Sequence, residues 1–90
     1  MKTYKIETQF LEDVSGERHY KFKGGRDLWV ENVKGEAEAI AAASYWLQKY
    51  GNYTEVLLPH TAKLVPEGEE RGEFDHPINA RRLWSQFNGG

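Results

Sequence analysis

His19, His60 and His76 are the three side chains whose ordinary pKa lies near neutrality, the first candidates for proton transfer or metal binding. Their spacing suits neither. No two histidines stand four apart around a glutamate, the pattern a helical zinc site needs. His60 follows a proline at a strand break and His76 precedes one at a helix start, positions that suit surface and capping roles. Asp75-His76 sets an acid beside an imidazole, but neighbours in sequence do not automatically face each other. No serine sits among small residues in a strand–turn–helix elbow. The chain has no cysteine, which removes a thiol nucleophile, a thiolate metal site and a disulfide framework. The expectation is a protein without catalytic residues, metal or cofactor.

Binding chemistry has more to draw on. Lys23-Gly24-Gly25-Arg26 could aim backbone amides at an anion, yet these glycines precede a strand rather than a helix. The helix after Gly35 opens with Glu36 and Glu38, which repel phosphate, and Gly24-Gly25 reads as a hairpin turn. Arg18, Lys21, Lys23 and Arg26 form a basic stretch in which His19, Lys21 and Lys23 project opposite Tyr20 and Phe22. Such a stripe suits phosphates, with Trp29 or Tyr4 available for stacking if exposed. The same alternation also keeps a strand soluble and blunts edge pairing. A net charge of −2 weighs against a protein devoted to nucleic acid. Glu67, Glu69, Glu70, Glu73 and Asp75 form an acidic stretch relieved only by Arg71, a surface able to meet a basic partner.

The elements that must carry these residues are legible. The stretch 34–51 is an amphipathic helix, with Ala39, Ile40, Ala43, Trp46, Leu47 and Tyr50 on one face. Gly35 and Gly51 punctuate it, and acids at its start and Lys49 near its end match the helix dipole. Its far side carries Glu38, Ala41, Ala42, Tyr45 and Gln48, a smooth surface topped by an aromatic. That side is either covered by the chain's own tail or offered to a partner.

Ahead of the helix, Tyr4, Ile6, Thr8 and Phe10 alternate with polar residues as in a half-buried strand, and Leu11 breaks the pattern. Ser15-Gly16 signals a turn, 19–23 a second strand, Gly24-Gly25 another turn, and 28–33 a third strand, giving an antiparallel meander. After the helix, 53–58 reads as an apolar strand that ends, bulges or lies at an edge at Pro59, with 61–65 as a possible continuation. Residues 67–74 read as a mobile acidic loop. Residues 76–87 read as a C-terminal helix with Asp75 as N-cap, Pro77 in the first turn and Ala80, Leu83, Trp84 and Phe87 on one face. No apolar run is long enough to span a membrane, and the N-terminus reads as a strand rather than a signal peptide.

The segment from Trp29 through Glu31, Val33, Gly35 and Glu36-Ala37-Glu38-Ala39 to Ala43 is a strand followed at once by an alanine-rich helix. It resembles, over roughly residues 1–65, small phage-encoded β-β-α-β proteins that include some anti-CRISPR proteins. The resemblance implies a non-enzymatic protein that occludes a surface of a larger host complex, and it carries over no binding residue.

The sequence therefore predicts one α+β domain over 1–90. An antiparallel sheet of three to five strands is packed by one central helix, with a short C-terminal helix beside it. Its expected function is non-catalytic binding of a protein or nucleoprotein complex, as an inhibitor or accessory factor in the cytoplasm. Tyr45, Ala41, Glu67, Glu69, Glu70 and Glu73 are the expected partner-binding residues. The alternatives are a nucleic-acid-binding module using Arg18, Lys21, Lys23 and Arg26, and a homo-oligomeric structural protein pairing through edge strands. The chain is expected as a monomer or homodimer, with no membrane partner.

Overall fold

The computed structural model describes residues 1–13, 16, 20–51 and 54–89. Ser15 of the first expected turn, Arg18 and His19 of the basic stretch, and Tyr53 of the fourth strand lie outside the described residues, as do the side chains of Tyr20 and Phe87. The elements run β1 (Lys2–Asp13), β2 (Tyr20–Phe22), β3 (Asp27–Val33), α1 (Glu36–Tyr50), β4 (Glu55–Leu64), β5 (His76–Asn79) and α2 (Ala80–Gly89). The class is α+β: a mixed five-stranded sheet with one long helix and one short C-terminal helix.

β1 is the spine of the sheet. Its alternation puts Tyr4, Ile6 and Thr8 on the buried side, and it pairs antiparallel with β4 along one edge. Along the other edge it pairs with β3 at 2–7 and with β2 at 11–13. β2 and β3 are therefore successive parts of one arm, and the expected three-strand meander is not formed. Gly24-Gly25 is a kink inside that arm rather than a turn between strands. Phe10 bonds Lys23 and Gly24 across it, and Thr8 bonds Arg26. Gly24 takes a φ of 60°, and a Cβ on Gly25 would overlap the Thr8 backbone carbonyl. Glycine is needed at the first for conformation and at the second for space.

β3 and β4 run parallel to each other with β1 antiparallel between them, and α1 makes the crossover. Ala39, Ala42 and Ala43 are fully buried, and these small residues let the helix lie close to Ile6, Leu28 and Val30. Glu38 Oε1 accepts the Lys34 N–H at 2.7 Å, just ahead of the N-cap Gly35. β4 bulges between its pairings with Lys5 and Glu7, where Pro59 removes a donor. Thr61 repairs the gap: its Oγ1 accepts the Glu7 N–H at 2.8 Å and donates to the Leu58 carbonyl at 2.6 Å.

The C-terminal segment corrects two further expectations. Residues 76–79 form a strand, not the first turn of a helix, and β5 runs parallel to β3, making the sheet mixed rather than antiparallel. Ile78 is buried against the core, which a strand register achieves, and Pro77 is tolerated because β5 is an edge. The N-cap of α2 is Asn79, whose Oδ1 accepts the N–H groups of Arg81 and Arg82 at 3.1 and 3.4 Å. Asp75 instead accepts the Gly72 N–H at 2.8 Å and lies 3.6 Å from Lys5 Nζ.

Candidate functional site

The far side of α1 is covered by the chain's own tail. Trp84 packs on Tyr45 with ring centroids 6.2 Å apart, and its Nε1 donates to Glu38 Oε2 at 2.9 Å. Ala42 beneath them is fully buried, while Ala41 stays exposed. The expected smooth outer surface is thus mostly a helix–helix contact. The Lys34 N–H and the Trp84 indole, both donating to the Glu38 carboxylate, hold its pKa below the ordinary carboxylate value despite some desolvation.

The basic arm is also partly spent. Arg26 turns to the helix side and grips Glu55 with two bonds of 2.8 Å, from Nε and Nη2. Lys23 lies 3.5 Å from Glu12, and Lys21 is opposite Glu12 in the register. Tyr4 and Trp29 are buried, which removes both proposed stacking platforms. Of the arm's described basic side chains, Lys21 and Lys23 stay exposed, whereas Arg26 is half-buried and committed to Glu55.

Around Glu55 the structure assembles a cluster that residue spacing did not reveal. The Glu55 side chain is wholly sequestered, and Thr8 Oγ1 donates to its Oε2 at 2.6 Å. Thr8 Oγ1 in turn accepts the Arg26 N–H at 3.2 Å. The Arg26 guanidinium lies 5.0 Å from the Trp46 ring centroid, and the Trp46 and His76 ring centroids are 4.5 Å apart. Desolvation, then the charges of Arg26 and Arg71, push the His76 pKa below its ordinary value, and Glu55 opposes this weakly. Among the described residues every buried side-chain polar atom has a hydrogen-bond partner. A satisfied carboxylate under a bidentate arginine is a clamp joining β1, β4 and the β2–β3 arm. The available signal was a lone acid inside the apolar run of β4.

The opposite face of the sheet is where side chains are left to solvent. Residues 65–75 connect β4 to β5 across it, tied by Val65 N–H to the Thr3 carbonyl at 2.9 Å and by Lys5 between Asp27 and Asp75. Trp29 is buried on this side next to Val65 and Pro66, and its Nε1 donates to Glu31 at 2.9 Å. Glu67, Glu69, Glu70 and Glu73 all point outward, as expected. Phe74 stands among them 88% exposed, beside a groove of about 450 Å³ lined by Glu7, Gln9, Gly25, Asp27 and Leu58. Phe74 was hidden in the sequence by its acidic, glycine-rich surroundings, where a lone aromatic is itself the signal.

No protein family, curated protein or solved structure matches the chain. No helix among the described residues is long and apolar enough to cross a membrane.

Proposed function

We propose that this chain is a non-catalytic protein-binding module that meets its partner through the sheet face away from the helices, with the 65–75 loop at its centre. The observation that carries the reading is Phe74. A phenylalanine 88% exposed, flanked by Glu73 and Asp75, loses the free energy that burying an aromatic would return. Aromatic anchors set in a polar rim are how interfaces concentrate binding energy. A small inhibitor or accessory factor that covers a surface of a larger protein or nucleoprotein complex is the form this takes, in keeping with the resemblance of the strand-to-helix segment. Tyr45 moves out of the interface because Trp84 already packs on it.

The test is capture from an extract of the source cells by tagged protein, with Phe74→Ala and the Glu67, Glu69, Glu70, Glu73→Gln variant alongside. A stoichiometric partner lost in both variants is the expected result. A partner retained by both, or lost only in Lys21→Glu/Lys23→Glu, would overturn the assignment of this face.

A further inference from the structure

We infer that the partner seated on the open sheet face is a basic, apolar polypeptide segment, held between Phe74 and an apolar strip on β1, β2 and β4. This inference rests on the protein-binding reading and names its chemistry.

The strip follows from the register. Thr8 points to the core, so Glu7, Gln9 and Leu11 point to the open side, since successive side chains alternate. Leu58 is paired with Glu7, Val56 with Gln9 and Phe22 with Leu11, and cross-strand partners share a face. Leu11, Val56, Leu58 and Phe22 therefore line one side, with Phe22 59% exposed and the other three half-buried. Phe74 and Leu58 both line the same groove, which places the aromatic at the end of the strip. Neither helix reaches this face, because both pack on the Ile6, Leu28 and Val30 side.

Charge selects the occupant. Glu7, Asp27 and Asp75 line the groove with Arg26, whose guanidinium is neutralised by Glu55, and the loop adds four exposed glutamates with Arg71 as its only cation. Two lysines share the face: Lys5 lies within 3.7 Å of Asp27 and 3.6 Å of Asp75, and its cross-strand partner Lys63 is exposed, so the acids still outnumber the cations. The potential presented around the apolar strip is negative. A segment with an apolar row and an arginine–lysine row matches both features, whereas a nucleic-acid backbone would be repelled. A second copy meeting this face symmetrically is a poorer match, because the exposed glutamates of the loop would be set against themselves.

The probe is a short synthetic amphipathic peptide with a leucine row and an arginine–lysine row, labelled for fluorescence anisotropy. Its counterpart carries glutamate at every basic position. The basic peptide is expected to bind, the acidic one to give no signal, and Phe74→Ala to weaken binding by about tenfold or more. Replacing the four loop glutamates by glutamine should weaken it and flatten its salt dependence. Both variants alter exposed side chains, and an unchanged circular dichroism spectrum checks that the fold is kept. No binding of the basic peptide, or binding indifferent to Phe74→Ala, overturns the inference. Light scattering that shows a dimer dissolved by Phe74→Ala also overturns it, assigning the face to a second copy. A cellular partner captured through Phe74 while the basic peptide fails to bind would leave the protein-binding reading standing and remove only this chemistry.

Discussion

At the scale of single residues, Glu55 and His76 carry the sharpest consequences. Glu55 has no solvent to fall back on, and the bonds it accepts from Thr8 and Arg26 tie both to β4. Glu55→Leu leaves the Arg26 guanidinium, itself largely covered, without its counter-charge. The expected cost is about 3 kcal/mol, read as a fall in the urea midpoint at constant slope. Adding Arg26→Leu should recover much of that loss, because an apolar pair needs no desolvation. If the double variant were no better than the single one, packing rather than the unpaired charge would be the cause. His76 gives a pH signature. Its folded pKa lies below the ordinary 6.5, so near that value the unfolded chain binds more protons than the folded one. Its contribution to stability is therefore whole above pH 6.5 and is lost as pH falls through the folded value. His76→Phe keeps a ring against Trp46 and removes the titration. Stability measured by urea across that window should fall less steeply for the variant than for the parent. Glu38 works the same way further down, its contribution being lost only as pH falls below its ordinary 4.5.

At the scale of elements, the boundaries of α2 and the kink of the β2–β3 arm are testable. Asn79 caps α2, and Asn79→Ala should cost about 1 kcal/mol and speed amide exchange in the first helical turn. Asp75→Ala should leave that turn's exchange unchanged, because Asp75 serves the Gly72 N–H instead. In the arm, Gly24→Ala meets only the left-handed penalty of about 1 kcal/mol. Gly25→Ala drives a methyl into the Thr8 backbone and should cost more than about 2 kcal/mol. Thermal unfolding of the two alanine variants separates conformation from space. These elements also show what sequence could and could not deliver. α1, β1 and an irregularity of β4 at Pro59 were legible because periodicity and proline act locally, although proline alone left open whether the strand would end, bulge or lie at an edge. β5 was not, because a His-Pro-Ile-Asn run with a following apolar helix face looks like a capped helix start. Only pairing with Val30, far away in sequence, makes Ile78 a strand residue. The glycine pair misled for a related reason. Glycine marks an unusual backbone, and whether that is a turn or a kink depends on which strand lies alongside.

At the scale of the molecule, the C-terminal third is built into the core and is no appendage to a β-β-α-β unit. Ile78, Ala80 and Leu83 belong to the buried cluster with Ile6, Leu28 and Val30. Trp84 seals the face of α1 that carries Ala42 and Tyr45. β5 also covers the edge of β3, which would otherwise present unpaired backbone groups beside a buried valine and tryptophan. This is why the candidate site could be only half read from the sequence. The acidic side chains were visible as a run, but whether Tyr45 or Phe74 was the free aromatic depended on where the tail docked. A fragment of residues 1–65, the portion covered by the topological resemblance, keeps four of the five strands and α1. It loses the β3 cover, the Trp84 seal and the loop beside Trp29. At this size little surplus stability exists to absorb such losses. The fragment is expected to be unfolded or aggregated, with poorly dispersed amide resonances, and supplying a peptide of residues 66–90 in trans should restore dispersion. A fragment that gave a dispersed spectrum alone would show that the tail is a lid on a finished domain. Tyr45 and Ala42 would then return as a surface that a partner could uncover.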